Sequence, residues 1–366
     1  MSCRNTCLTC GRPSKDPLEW RCECGGALET KVEAEYSSGL AGTIFQRFSS
    51  QYPYIDQADM VSLGESETPL VRTKDAAFKL EYLLPTGSFK DRGSCALISG
   101  IHRWLAAKGI RNVKEDSSGN AGASVAAYSA RAGIHCQVYV PAAVSGPKAL
   151  QIQMYGAELI RIPGSRSHVT KAAQAEKEGS AYVGHIWHPY FRDGMRTLAY
   201  EIYEQLGGKL PESVYLPVSA GTLLLGFISG IQHLRSSGRI ERLPRVVACQ
   251  TKTVSPLYAK LTGTAFDSNA EVKTIADALV STAPPLLNHM AAKVREVGGE
   301  AQVATEAEVL TAWKELAGRG LYVEPSSAVP YACLRRTRGE SGPEALVILT
   351  GSGLKSKEEA LRSALG

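Results

Sequence analysis

At 366 residues, 44% of them hydrophobic and 21% charged, the chain is long enough for two or three packed units with real cores, as expected of a globular protein. A formal charge of +5 with no run of five like charges argues against a nucleic-acid or membrane surface and leaves room for a small anionic ligand. No N-terminal stretch joins a basic segment to an apolar core, so no secretion signal is read and a cytoplasmic protein is expected.

Five of the nine cysteines fall in the first 24 residues. CLTCGR and CECGG pair Cys7 with Cys10 and Cys22 with Cys24, and a glycine follows each pair. Four thiolates in loops that turn backbone N–H groups toward the sulfurs would close a structural zinc site. The second pair is tighter than CxxC, and Cys3 is an alternative ligand; disulfides would be the outcome in an oxidising compartment. Residues 1–30 lack a basic and aromatic stripe, so this zinc-ribbon-like segment is read as a brace for the N-terminus or an interface.

After a transition from Lys31 to Gly64, strand and helix patterns alternate from Ala77 almost to the end, which argues for an α/β fold. Strands are expected at Val113–Asp116, His135–Val140, Glu158–Ile162, Ala181–Ile186, Ser213–Pro217, Val246–Gln250 and Ala345–Leu349. Helices are expected at Ala123–Ala132, Pro147–Tyr155, His168–Glu178, Gly194–Leu206, Thr222–Ser236 and Thr305–Ala317. The uncharged run Ser213–Leu234 is broken by Pro217, Gly221, Gly226 and Gly230 into a strand, a turn and a helix, not a membrane span. No strand pattern stands out between Leu261 and Gly298.

Lys90 lies in PTGSFKDRG. Ser88 and Asp91 form a capping-box-like start to the apolar-periodic segment Cys95, Leu97, Ile98, Ile101, Leu105, so Lys90 projects from a first helical turn. Unsatisfied N–H groups and Arg92 there favour the neutral amine that condenses with an aldehyde. Four more segments sit where an α/β sheet places ligand loops. DSSGNAGAS (Asp116–Ser124) offers small residues, N–H groups and the Asn120 amide. PVSAGTLLLG (Pro217–Gly226) offers a small-residue turn with the hydroxyls of Ser219 and Thr222. LTGSGLK (Leu349–Lys355) ends a buried strand in hydroxyls and glycines, and HPYFRDGMRT (His188–Thr197) carries Arg192 and Arg196.

These strings, with VEPSSA (Val323–Ala328), occur in an order that resembles the threonine synthases, pyridoxal-phosphate enzymes of the tryptophan-synthase-β fold, over Ser62 to Lys355. The N-terminal cysteine segment is similar to one that precedes the catalytic part of archaeal-type members. The resemblance implies a fold-type II enzyme of two open twisted α/β domains closing over the cofactor. Its large cofactor-binding domain would take 31–92 and 190–366 and its small domain 93–189, in a homodimer with no nucleic-acid or membrane partner. It implies that Lys90 holds the cofactor aldehyde and then moves protons on substrate carbons. Asn120 would bond the phenolic oxygen, and Val218, Ser219, Ala220, Gly221 and Thr222 would hold the cofactor phosphate. Thr350 would face the pyridine nitrogen, and Ser117 and Ser118 would bind the substrate α-carboxylate. A hydroxyl at the ring nitrogen, unlike a carboxylate, suits elimination and replacement over transamination.

Threonine synthases commonly carry NPYRLEGQKT, whose arginine contacts the phosphate of O-phosphohomoserine; here Phe191 occupies that column. Either Arg192 or Arg196 takes over the phosphate, or Lys148 of SGPKALQI does, or the leaving group differs. The phosphate turn departs too, with Ser219 and Ala220 where glycine and asparagine are usual. The expected activity is a lyase making L-threonine and phosphate from O-phospho-L-homoserine and water. The alternative is β-replacement or β-elimination on O-phospho-L-serine or a related three-carbon amino acid, which Phe191 favours by shrinking the anion pocket. A cofactor domain that binds without turnover is a third reading, opposed by the presence of Lys90, Asn120 and Thr350 together. His185, Trp187 and His188 are read as core and rim, with His188 also weighed as a residue near the substrate.

Overall fold

The computed structural model describes residues 5–39, 41–337 and 344–365; Cys3 lies outside them. In chain order the strands are β1 (Asn5–Cys7), β2 (Leu28–Thr30), β3 (Leu70–Arg72), β4 (Ala77–Leu80), β5 (Asn112–Glu115) and β6 (His135–Pro141). They continue with β7 (Glu158–Ile162), β8 (Ser180–Tyr182), β9 (Ser213–Pro217), β10 (Arg245–Thr251), β11 (Glu300–Ala304) and β12 (Ala345–Leu349). Three sheets result: the antiparallel pair β1-β2, a parallel sheet β7-β6-β5-β8, and a sheet β11-β10-β9-β12-β4-β3 that is parallel apart from its edge strand β3.

The chain forms two compact units, Met1–Glu67 with Lys90–Thr197, and Thr68–Phe89 with Leu198–Gly366. The segments 31–67 and 190–197, expected with the large domain, pack in the first unit. The two segments are joined to each other there: Tyr54 stacks on Tyr190 with ring centres 3.9 Å apart, and its hydroxyl donates to Asp193 Oδ2 at 2.7 Å. Periodicity carries no trace of such pairs.

In the first unit the helix Lys90–Ala107 crosses the helix Pro189–Gly194 at close range. Glycine permits the crossing, because a Cβ at Gly194 would lie 2.2 Å from the Arg92 carbonyl oxygen. The expected helix Gly194–Leu206 is consequently two helices, Pro189–Gly194 and Thr197–Gln205. The expected strand Ala181–Ile186 stops at Tyr182, where the chain turns over the Tyr182 ring through Gly184. The expected helix Ala123–Ala132 begins three residues earlier, at Asn120, since the small residues read as loop already form its first turn.

The second unit is built on β9 and β12, SVYLP and ALVIL, whose residues are all buried, as befits parallel strands covered on both faces. Phe78, Trp313, Tyr331 and Val347 belong to its core. Thr305 caps the helix Glu306–Gly318, and Glu308 returns a bond to the Thr305 N–H at 2.7 Å. Within β4, Lys79 is fully buried, ion-paired to Glu201 and bonded to the Thr68 carbonyl at 2.6 Å. Strand β3 escapes the period-two pattern because it is short, β4 because it carries the buried charge of Lys79, and β11 because four of its five residues are only partly buried. Between Leu261 and Gly298 the described residues form no strand. No helix of the described residues is long and apolar enough to cross a membrane.

Candidate active site

In the second unit β12 is followed by Thr350, whose carbonyl accepts the N–H of Phe89 at 3.0 Å. Chain connectivity thereby sets the residue that follows, Lys90. The segment is held by Ser327 of VEPSSA, at the start of the helix Pro325–Arg336. Ser327 Oγ lies 2.9 Å from Thr350 Oγ1 and accepts the N–H groups of Thr350 at 3.1 Å and Gly351 at 2.8 Å. Ser88 bridges to Gly351, and its hydroxyl is buried with no hydrogen-bond partner among the described residues. The expected capping box between Ser88 and Asp91 is therefore not made by Ser88. Asp91 instead accepts a bond from the Ser124 hydroxyl at 2.6 Å, and Ser124 also reaches Ser94 at 2.8 Å.

The small-residue turn after β9 leads into the helix Thr222–Ser236. Gly221 has φ 91°, and a Cβ there would fall 2.0 Å from Met290 Sδ. Ser219, Ala220 and Gly221 donate their backbone N–H groups to no protein acceptor among the described residues. Val218 does not belong with them as a phosphate donor: its N–H is spent on the Cys249 carbonyl at 2.9 Å. It anchors the turn instead.

In the first unit Lys90 opens its helix, half-buried, with Nζ 5.7 Å from the centre of the Phe191 ring. Phe191 is fully buried and packs on the turn at Gly93, where a Cβ would lie 2.6 Å from its ring. Ser117 and Ser118 precede the N-terminus of the helix Asn120–Arg131, and Ser117 Oγ accepts the Gly119 N–H at 3.3 Å. Gly122 lets that loop fold onto the helix, since a Cβ would fall 1.8 Å from the Ser117 carbonyl oxygen. Ile152, 3.2 Å from the same Cβ position, shares a face of the helix Pro147–Met154 with buried Lys148 four residues earlier.

The two arginines expected at a substrate phosphate are spent elsewhere. Arg192 is buried and donates to the carbonyls of Ile186 at 2.6 Å, Trp187 at 2.9 Å and Leu28. Burial pushes its pKa down to about 10. Arg196 is fully buried, paired with Asp193 at 2.9 Å and bonded to the Gln51 carbonyl. Both bind the loop's surroundings; a bound anion would have to displace the partners of Arg192 and those on Nη2 of Arg196. His188 is likewise a strut: Nε2–H donates to the Pro17 carbonyl at 3.1 Å and Nδ1 accepts the Tyr190 N–H at 3.3 Å. Burial and the Arg192 charge push its pKa down to about 3, so it stays neutral with both nitrogens used.

Those bonds to Pro17 and Leu28 dock the N-terminal segment, helped by Trp20 edge-on to Tyr182 and Trp187 at 4.8 and 6.0 Å. Within that segment the sulfurs of Cys7, Cys10, Cys22 and Cys24 all lie within 4.8 Å of one another, with Cys7 to Cys24 at 3.5 Å and Cys10 to Cys22 at 3.6 Å. Four thiolates ~2.3 Å from one tetrahedral ion would sit at comparable spacings. The Cys24 N–H and the Arg12 guanidinium push the Cys22 thiol down to about 6, whereas neighbouring sulfurs outweigh the Gly26 N–H and push Cys24 up to about 12. Four sulfurs so close ionise together only around a cation.

Sequence reasoning passed over Ser327 and Ser124 as individual residues and read Ser88 only as a helix cap. Ser327 alone carried a signal, as the second serine of VEPSSA.

Residues 61–351 match the family described as pyridoxal-phosphate dependent enzyme. The chain is similar to a threonine synthase of Methanocaldococcus jannaschii, 31% identical over 98% of this chain and 94% of that one. It is also similar to a threonine synthase of Synechocystis, 30% identical over 88% and 85% of the two chains. In fold it is similar to threonine deaminase isoform 2 from Solanum lycopersicum, with a TM-score of 0.72 at 18% identity, covering 92% of this chain and 91% of that one. The α/β units built on parallel sheets thus have their counterpart in known proteins, and the chain belongs to the pyridoxal-phosphate-dependent enzymes, in the threonine synthase family.

Proposed function

We propose that this lyase converts O-phospho-L-homoserine and water to L-threonine and phosphate. The observation that carries this reading is the 31% identity to a threonine synthase over nearly the whole of both chains. The residues fit pyridoxal phosphate: among the described residues the N–H groups of Ser219, Ala220 and Gly221 lack protein acceptors and the buried Ser88 hydroxyl lacks a partner, and the turn at Gly221 excludes a side chain. When bound, the cofactor supplies an aldehyde for the substrate amine and a ring that withdraws electrons from Cα.

Lys90 would hold that aldehyde until substrate arrives, and its released amine would then take protons from Cα and Cβ and return them at Cγ and Cα. The turn at 219–222 binds the cofactor phosphate through backbone donors, which are indifferent to side-chain identity; Ser219 and Ala220 are therefore tolerated there. Asn120 bonds the ring oxygen. The Thr350 hydroxyl, fixed by Ser327, meets the ring nitrogen without a charge to hold a proton on it. Ser117 and Ser118 take the α-carboxylate with loop N–H groups at a helix N-terminus. Lys148, buried on the helix Pro147–Met154, would supply the cation for the substrate phosphate. The phosphate departs with the Cγ–O electron pair, and water then adds at Cβ.

Phe191 favours a second reading, β-replacement or β-elimination on O-phospho-L-serine, because its buried ring lies beside the Lys90 amine where a phosphate would need a cation. Titrating the cofactor-loaded protein with each substrate while following absorbance and amino-acid products separates the two. Threonine from O-phosphohomoserine supports the first reading; a spectral response to O-phosphoserine alone supports the second. The cysteine quartet is assigned a structural zinc, and the enzyme is assigned a homodimeric, cytoplasmic life on the strength of the family. Metal analysis and sedimentation test the first two.

A further inference from the structure

Glu115 ends β5 and spends both carboxylate oxygens on one residue. Oε1 is 2.7 Å from Nδ1 of His185, and Oε2 accepts the His185 backbone N–H at 3.0 Å. Glu115 is fully buried and the His185 side chain is 8% exposed. Gly184 makes the arrangement possible, since a Cβ there would lie 2.0 Å from the Tyr182 hydroxyl. Strands β5 and β8 are parallel neighbours, with Lys114 opposite Tyr182 and the Val183 N–H donated to the Lys114 carbonyl at 2.9 Å. His185 therefore stands at the carboxyl end of this sheet, the end at which Ser117 and Ser118 follow Glu115.

A carboxylate that accepts the Nδ1–H hydrogen bond fixes the tautomer and leaves Nε2 as the nitrogen for a ligand. No described residue bonds His185 Nε2. The ring packs edge-on against Phe191 at 5.6 Å, and the same Phe191 ring has the Lys90 amine 5.7 Å from its centre. The arginines near this loop are committed: Arg192 to carbonyls, Arg196 to Asp193, and Arg166 to Asp116 at 3.1 Å. Asp116 also takes bonds from Thr170 at 2.7 Å and Tyr182 at 2.9 Å, so the acids flanking His185 are both satisfied.

We propose that His185 is a substrate-binding residue that offers Nε2 to the anionic group on the substrate side chain. With an anion there the ring carries two protons, one donated to Glu115 and one to the anion, the second taken from solvent. This deepens the reading of the previous subsection and rests on it for the position of the substrate beside Lys90.

The test uses cofactor-loaded wild-type, His185→Ala and His185→Gln proteins, with the cofactor absorbance band as the control for folding and loading. Calorimetric titration with inorganic phosphate is compared with KM and kcat for O-phosphohomoserine. Phosphate should bind His185→Ala about tenfold more weakly or worse, as for loss of one charge-assisted hydrogen bond, with KM rising by a similar factor and kcat little changed. His185→Gln, which keeps a donor, should recover part of the loss. Unchanged phosphate affinity in His185→Ala overturns the proposal, and so does a fall in kcat at constant KM, which would make the ring a proton carrier. If the wild type turns over no O-phosphohomoserine yet its phosphate affinity depends on His185, the residue assignment stands and the substrate reading falls.

Discussion

Ser327 Oγ and Thr350 Oγ1 lie 2.9 Å apart in a fully buried pair. Ser327 also caps two N–H groups of the strand end that carries Thr350. Ser327→Ala leaves those donors unsatisfied and should cost about 1–3 kcal/mol of stability. Because Thr350 then loses its orientation, cofactor affinity should fall as well. Urea denaturation and a cofactor titration read the two effects separately.

Lys90→Ala should abolish the absorbance of lysine-bound cofactor and lower turnover by at least about a thousandfold, the scale of a lost acid–base residue. Thermal stability of the apo protein should hardly move, since Lys90 is half-buried at the first position of its helix and alanine is a good helix former. A variant with normal spectrum and rate would remove Lys90 from the chemistry.

His188 gives stability a pH dependence. Its pKa is about 3 in the fold against an ordinary 6.5, so the unfolded chain takes up its proton first as pH falls. The contribution is complete above pH 6.5 and is lost on acidification toward about 3, with a slope of up to ~1.4 kcal/mol per pH unit. Asp193 opposes it, because burial raises its pKa to about 6 and the folded state protonates first between there and 3.8. Subtracting the profile of His188→Gln from that of the wild type isolates the histidine. A flat difference between pH 4 and 6, measured by denaturant titration, would count against the buried neutral ring.

Cys22→Ser should release the metal assigned to the four-sulfur cluster and loosen its docking. Metal content should drop by one zinc per chain, and the tryptophan emission should shift as Trp20 leaves Tyr182 and Trp187. Structural zinc sites contribute folding energy directly, so the melting temperature should fall by several degrees. Retention of full zinc content would move a ligand to another residue.

Gly221→Ala combines a left-handed backbone, costing about 1–2 kcal/mol, with a collision against Met290. The turn must shift, and cofactor affinity should drop by about tenfold or more. Equilibrium dialysis of the cofactor checks it.

The sheet strands His135–Pro141, Ser213–Pro217 and Ala345–Leu349 were legible because buried parallel strands are continuous apolar runs. So was the turn at Gly221. The jobs of Arg192, Arg196 and His188 were not, because a loop sequence rich in cations looks the same whether its partners are a ligand phosphate or carbonyls more than a hundred residues away, as with Leu28. Ser327 was hidden for a similar reason, since its partners at Thr350 and Gly351 are joined to it only by folding.

The bond from Phe89 N–H to the Thr350 carbonyl ties the residue before Lys90 to the end of β12, the last strand among the described residues. Strand β4, early in the chain, likewise finds its parallel partner only in β12. A nascent chain lacking that strand has neither contact, and closing so long a loop is a late folding event. The segment leading into Lys90 is thus secured only when synthesis is nearly complete, so a truncated chain from a stalled ribosome would carry Lys90 without this anchorage.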